Sequence, residues 1–205
     1  MTDPAGRIVG LYDEQAEGWI ADRGRALGGP GKSLDEVAAL DRFVAALPVG
    51  ARVLDVGCGS GWPLGAALLE RGVRLTGLDA SHRLVAHARQ TLPAGEWIVA
   101  DMRTFDLGRV FDGIVVWHSL FHLTPEDQCL ALERIVAHAA GTSALLLTEG
   151  DEAGVSLGRW RGEPLYHASL GADAYRTILK ASDFAAPDIV APAPWLYRRG
   201  PSAQP

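Results

Sequence analysis

His118 and His122 stand four residues apart in "VWHSLFHL", directly after an apolar run. Imidazole titrates near neutral pH, so such a pair can ligate a metal, move protons or simply pack. A zinc pair at this spacing needs both rings on one helical face with further ligands close by. Residue 119 is Ser, the next helix start is at Thr124, and no Cys, Asp or Glu within the loop completes a set. No metal is expected. His118 is read as a catalytic base or acceptor ligand, and His122 either shares that work or braces the loop. Tyr166 and His167, in "WRGEPLYHASL", are further candidate catalytic groups, with Trp160, Arg161 and Tyr166 as candidate acceptor contacts. Arg159 and Arg161 either grip a carboxylate or phosphate or lie solvated.

A second constellation is "VLDVGCGSG", residues 53–61, where a strand pattern ends in an acid and a glycine run opens a helix. Glycine permits positive φ and lets a ligand approach main-chain N–H groups with no Cβ in the way. A dinucleotide fingerprint would need a third glycine at residue 62, which is Trp62. "GGPGKS", residues 28–33, would need glycine at residue 26 for a phosphate loop, and that residue is Ala26. It is read as a loop, with Ser33 capping the next helix and the glycines able to serve as lid hinges.

With Asp55 in front, glycines at 57, 59 and 61 resemble motif I (D/E-x-G-x-G-x-G) of the class I S-adenosylmethionine-dependent methyltransferases. The resemblance runs in register from about 51 to 149 and implies S-adenosylmethionine as cofactor. It implies that Asp55, Gly57, Cys58, Gly59 and Gly61 form the cradle, with Cys58 filling a position that needs a small side chain. Asp79, followed by Ala80 in "LTGLDAS", would accept both ribose hydroxyls; a carboxylate suits a vicinal diol because it accepts two bonds. Asp101 and Met102 in "WIVADM" would meet the adenine, and Trp117 with His118 the methionine moiety. Tyr12 and Trp19 either close over the cofactor, as N-terminal helices do in similar methyltransferases, or anchor their helix on the core. The chain also resembles a group of short bacterial methyltransferases through "WIVADMR", "FDGIVVWHSLFHLTPEDQ" and "WRGEPLYHASL". It departs from that group at His118, where an acid is common, and in the tail "APDIVAPAPWLYRRG". The implied reaction is methyl transfer to a small molecule through oxygen or nitrogen. The alternatives are a cofactor-binding relative with cyclase or lyase chemistry, or a binding module without turnover.

The elements that must position these residues follow from periodicity. Apolar side chains at Ile8, Leu11, Tyr12, Ala16, Trp19 and Ile20 predict one or two short helices over 8–24, and "SLDE" opens a helix that runs to Pro48. Short β-branched runs then alternate with helical stretches, from "ARVLDVG" to "SALLLTEG", which predicts βαβ units. Ser81 and Thr124-Pro125 mark two helix starts. Residues 150–170 read as irregular, 172–182 as a helix, and 187–198 as one or two short strands. The expected fold is α/β, a Rossmann-like doubly wound, mostly parallel seven-stranded sheet with helices on both faces. One domain is expected over 1–205: N-terminal helices or lid at 1–48, cofactor core at 51–149, and acceptor-side segment at 150–205.

Composition excludes several classes. A formal net charge of −6 with two lysines gives no clustered basic footprint for nucleic acid. No apolar run approaches a membrane span, the N-terminus lacks a signal-peptide core, and the two cysteines form no disulfide or metal pattern. A cytoplasmic protein is expected, monomer or homodimer, with a small-molecule methyl acceptor as its partner.

Overall fold

The computed structural model describes residues 5–24, 34–189 and 195–200. The 28–33 loop and its Ser33 cap therefore lie outside the described residues. Two short helices open the chain, α1 (Ile8–Glu14) and α2 (Ala16–Arg23), followed by α3 (Leu34–Ala45). The central sheet contains β1 (Arg52–Val56), β2 (Arg74–Asp79), β3 (Glu96–Val99), β4 (Phe111–Val116), β5 (Ala139–Leu147), β8 (Asp188–Ile189) and β9 (Trp195–Arg199). Its order is β3-β2-β1-β4-β5-β9-β8. β1 to β5 pair in parallel, and β9 runs antiparallel to both neighbours.

The expected seven-stranded, mostly parallel sheet is therefore present, and helices cover both faces. α3 and α4 (Leu64–Glu70) bring Leu40, Phe43 and Leu68 against one face, where Trp97 is also buried. α6 (Pro125–Ala137) and α7 (Ala172–Lys180) bring Leu132, Ile135, Tyr175 and Leu179 against the other. Strands buried on both sides read as continuous apolar runs, which is why "LLL" at 145–147 is fully buried. Two helix starts follow their sequence signals. Ser81 Oγ accepts from Leu84 N at 3.2 Å to open α5 (His82–Thr91), and Thr124 Oγ1 accepts from Asp127 N at 3.2 Å to open α6 behind Pro125.

The reading of 150–170 as irregular is wrong. Those residues form an antiparallel hairpin, β6 (Ala153–Trp160) and β7 (Glu163–Leu170), which among the described residues pair only with each other. The two-residue turn places Arg161 at φ 51° and Gly162 at φ 85°, the positive-φ geometry that matches strand twist. Alternation was absent because β6 has no buried face: Val155 and Leu157 are 59% and 62% exposed.

Chain order reverses at β1, whose neighbours are β2 on one side and β4 on the other. Ligands of open parallel sheets lie outside the carboxyl ends of the strands at such a switch point. Asp55, Asp79, His118 and Glu149 all sit at or just beyond those ends.

Candidate active site

The glycine loop leaves β1 and is drawn onto β2 by bonds from Gly57 N and Cys58 N to the Leu78 carbonyl, at 2.8 and 3.0 Å. Gly57 and Gly59 have φ of 77° and 55° and line the crevice. A Cβ on Gly57 would come 2.3 Å from Ser119 Cβ, and one on Gly59 2.6 Å from the Trp19 ring, so only glycine allows this approach. Gly61 turns the same loop at φ 75° but faces inward, where a Cβ would lie 2.7 Å from the buried Trp97 ring, so both the turn and the core packing need glycine there.

Three neighbouring cavities occupy the switch point. The first, about 110 Å³, lies between α1, the loop after β2 and the loop after β3. Asp79 faces it and is held by two backbone donors, Gly59 N to Oδ2 and Ser81 N to Oδ1, both at 2.9 Å. Burial still pushes its carboxyl up, against those bonds. Ala80, Met102 and Asp101 line the same space. Asp101 is not free: Arg103 donates to both its oxygens, with Nη2 at 2.6 Å from Oδ2, and also reaches Asp127 at 2.9 Å. The Arg103 guanidinium holds the Asp101 carboxyl below its usual range.

The second cavity, about 360 Å³, is lined by Asp55, Cys58, Arg23 and Trp117, and it shares Tyr12, Trp19 and Gly57 with the first. Asp55 is 1% exposed, and neither of its carboxylate oxygens has a hydrogen-bond partner among the described residues. Burial first, then the nearby Asp79 charge, push its carboxyl up to about 7, against the pull of Arg23. An orphaned buried carboxylate costs the fold free energy and marks a place built for a partner.

The third cavity, about 630 Å³, opens between the end of β5 and the hairpin. Glu36, Glu149 and Glu152 face it, as do Trp117, Phe121 and His167. Among the described residues only His118 lines all three cavities. Its backbone sits at φ 52°, rare for a non-glycine residue, and its N–H donates to Thr148 Oγ1 at 2.6 Å. Its Nε2 lies 3.6 Å from Glu36 Oε1. Partial burial and Arg23 lower its pKa below the ordinary 6.5, with Glu36 opposing them. That shift favours the neutral ring, the form that can accept a proton.

His122 differs from His118. It is 8% exposed, its Nδ1 is 3.0 Å from the Tyr166 carbonyl and its Nε2 is 2.9 Å from Tyr12 Oη. A carbonyl only accepts, so Nδ1 carries the hydrogen and the Tyr12 hydroxyl donates to Nε2. Burial lowers the His122 pKa to about 4 and raises that of Tyr12 to about 12, so this bridge stays neutral. It ties α1, the 3-10 turn at Leu120–His122, and β7 together.

Three residues expected to meet the acceptor, Tyr166, Trp160 and Arg161, line none of the three cavities. Tyr166 packs with Ile8 and Ala168 and lends the bridge only its carbonyl. Trp160 stacks on Tyr12 with centroids 5.4 Å apart and donates from Nε1 to Asp22 Oδ2 at 3.3 Å. Arg161 grips Asp22 Oδ1 and the Gly18 carbonyl at 3.0 and 3.1 Å. These two form a latch from hairpin tip to α2, because α2 packs against the hairpin where an acceptor was expected to lie. Arg159 donates to the Gly162 carbonyl within the same turn. Sequence reasoning missed Asp22, Arg23, Glu36, Arg103 and Glu149. It also missed Asp13, which accepts from Ser81 Oγ at 2.7 Å and so docks α1 over the crevice. Only Glu149 had a usable signal: it follows an apolar strand in "LLLTEG", as Asp79 does in "LTGLD".

Residues 53–140 match the family described as "Methyltransferase domain". The chain is 34% identical over 140 residues to the dTDP-3-amino-3,6-dideoxy-alpha-D-glucopyranose N,N-dimethyltransferase of Streptomyces fradiae, covering 67% of this chain and 51% of that protein. The chain thus spans about half the length of that relative. It is 35% identical over 77 residues to the S-adenosyl-L-methionine-dependent Diels-Alderase iliD of a Neonectria species, covering 35% of this chain and 31% of that one. In fold it resembles S-adenosylmethionine-bound CalS10 from Micromonospora echinaspora, an amino pentose methyltransferase involved in calicheamicin biosynthesis. That likeness has a TM-score of 0.65 at 24% identity and covers 84% of this chain and 94% of that one. By its domain match and these relatives, on a sheet of this order, the chain belongs to the class I S-adenosylmethionine-dependent methyltransferases.

Proposed function

We propose that this protein transfers the methyl group of S-adenosylmethionine to a small molecule, with His118 at the point where cofactor and acceptor meet. The observation that carries this reading is the position of His118, which faces all three cavities beyond the carboxyl ends of a parallel sheet. The residues present fit the cofactor. Asp79 keeps lone pairs for a ribose diol beside its two backbone donors, and Ala80 with Met102 offers apolar walls to an adenine. The orphaned Asp55 carboxylate suits the ammonium of the amino-acid end, and Arg23 in the same cavity suits its carboxylate. When bound, the cofactor supplies an electrophilic sulfonium methyl group.

The chain then has to orient an acceptor and take up a proton. A proton accepted by the His118 ring is stabilised by Glu36 Oε1, 3.6 Å from Nε2. Trp19 over Gly59 and the Tyr12–His122 bridge exclude water from the crevice. In this arrangement the described part of segment 1–48 clasps the cofactor, 51–149 cradles it, and the described part of 150–205 walls the acceptor, all as one domain. The Streptomyces fradiae relative, an N,N-dimethyltransferase, supports nitrogen as the methylated atom. The net charge of −6 argues against nucleic acid, and no described helix is long and apolar enough to cross a membrane. The free cysteines Cys58 and Cys129 support a reducing, cytoplasmic setting, with the chain acting as a monomer or homodimer.

His118→Gln tests the reading. It should lower turnover, followed as S-adenosylhomocysteine release, by about 10²-fold or more while cofactor affinity holds. Full turnover in that variant would remove His118 from the chemistry. A second reading, cofactor-dependent chemistry without methyl transfer, is favoured by the likeness to iliD. Product formation without any S-adenosylhomocysteine would select it.

A further inference from the structure

We propose that the third cavity selects an acceptor carrying a protonated amine beside a hydroxyl group, and that Glu149 is its specificity-determining residue. The proposal rests on the methyl-transfer reading in one respect, that this cavity receives the acceptor. Its lining includes the carboxylates of Glu36, Glu149 and Glu152, and no Lys or Arg among the described residues. Glu149 is pinned by Tyr197, whose hydroxyl donates to Oε1 at 2.9 Å, while Oε2 is buried with no hydrogen-bond partner among the described residues. Burial pushes its carboxyl up to about 7, although Tyr197 and Arg176 pull the other way. A buried oxygen left in this state is satisfied by an outside donor, and an ammonium provides both the proton and the compensating charge.

The aromatic walls supply a second, independent pointer. The rings of Trp117 and Phe121 border the same cavity, and aromatic faces beside acids form the environment that recognises ammonium and its alkylated forms. That preference persists as methyl groups are added to nitrogen, because alkylammonium keeps its charge. Trp117 is 4% exposed and its Nε1–H has no partner among the described residues, so it offers a donor to an oxygen on the same molecule. An anionic acceptor would meet three carboxylates, and a plain alkyl amine would leave the indole N–H unmet.

The test titrates the full-length protein, with S-adenosylhomocysteine bound, against matched pairs by calorimetry: 2-aminocyclohexanol against cyclohexane-1,2-diol, and glucosamine against glucose. The amine of each pair should bind about tenfold tighter or more, the span expected of a charge-assisted hydrogen bond. Glu149→Gln should abolish that preference with S-adenosylhomocysteine affinity unchanged and no loss of thermal stability, and Glu149→Asp, which keeps the charge on a shorter arm, should restore part of it. Equal affinity within pairs, no binding of any amine, or a preference intact in Glu149→Gln would overturn the inference. If Glu149→Gln does not fold, a preference undiminished in Glu149→Asp would overturn it instead. The two readings fail separately. Methylation of neutral or anionic acceptors alone sinks the amine cavity, whereas amine binding with no S-adenosylhomocysteine released from S-adenosylmethionine sinks methyl transfer.

Discussion

Replacing Asp55 with Asn should stabilise the free protein and weaken its hold on the cofactor. Both oxygens of this carboxylate are buried without hydrogen-bond partners among the described residues, and its carboxyl is pushed from 3.8 up to about 7. At about 1.4 kcal/mol per pH unit, keeping Asp55 ionised costs the fold about 4 kcal/mol above pH 7. Asparagine has nearly the same shape and no charge, but its buried amide takes back about 1–3 kcal/mol. The net gain is about 1–3 kcal/mol, or about 2–10 °C in Tm for a chain of this size. The sign depends on pH. A carboxyl raised in the folded state adds no penalty below its unfolded value of 3.8, and the penalty grows as pH rises to about 7. The advantage of Asp55→Asn should therefore shrink at about pH 5 and be full at about pH 8. Thermal melts of both proteins at the two pH values, with and without S-adenosylmethionine, make the measurement. Added cofactor should raise the wild-type Tm by more than that of the variant, since a ligand stabilises in proportion to its affinity. A variant less stable than wild type at the higher pH, or a difference independent of pH, would refute the reasoning.

Asp79→Asn should weaken cofactor binding by about 1.5–3 kcal/mol, because one of its acceptor oxygens becomes a donor facing the Gly59 or Ser81 N–H. Equilibrium dialysis with labelled S-adenosylmethionine reads this, and an unchanged Kd would withdraw Asp79 from the ribose. Arg161→Ala should leave Tm nearly unchanged, since the Arg161–Asp22 pair is exposed, yet speed cofactor dissociation by unlatching α2. Gly18→Ala probes the same latch from the other side, because its Cβ would lie 2.4 Å from Arg161 Cζ; stopped-flow dissociation rates equal to wild type in both variants would dismiss the latch.

The sequence carried the sheet and the cofactor loop because their signals are local. Buried parallel strands spell continuous apolar runs, Ser81 and Thr124 cap helices within three residues, and Asp55 with its glycines occupies seven consecutive positions. What escaped was long-range. Arg161 meets Asp22 across 139 positions and Tyr12 meets His122 across 110, and no spacing rule couples residues so far apart. The hairpin escaped for a different reason: a strand exposed on both faces has no hydrophobic alternation to display. Gly61 was assigned to the cradle by motif position, and the same glycine is also required by Trp97 behind it. Asp79 was implied by the family resemblance; Glu149 likewise follows an apolar parallel strand, in "LLLTEG", but the resemblance assigned no residue beyond the fourth strand.

The neutral His122 bridge and the Trp160–Arg161 latch join two parts of the molecule that wall different spaces. Tyr12 and Trp19 on the N-terminal helices border the first two cavities, whereas on the hairpin Gly154 to Ser156 border the third and His167 both the second and the third. Because these contacts tie the two parts together, binding in one space should tighten binding in the other. Linkage then requires the factor by which cofactor tightens acceptor to equal the factor by which acceptor tightens cofactor, which titration of each in the presence of the other checks.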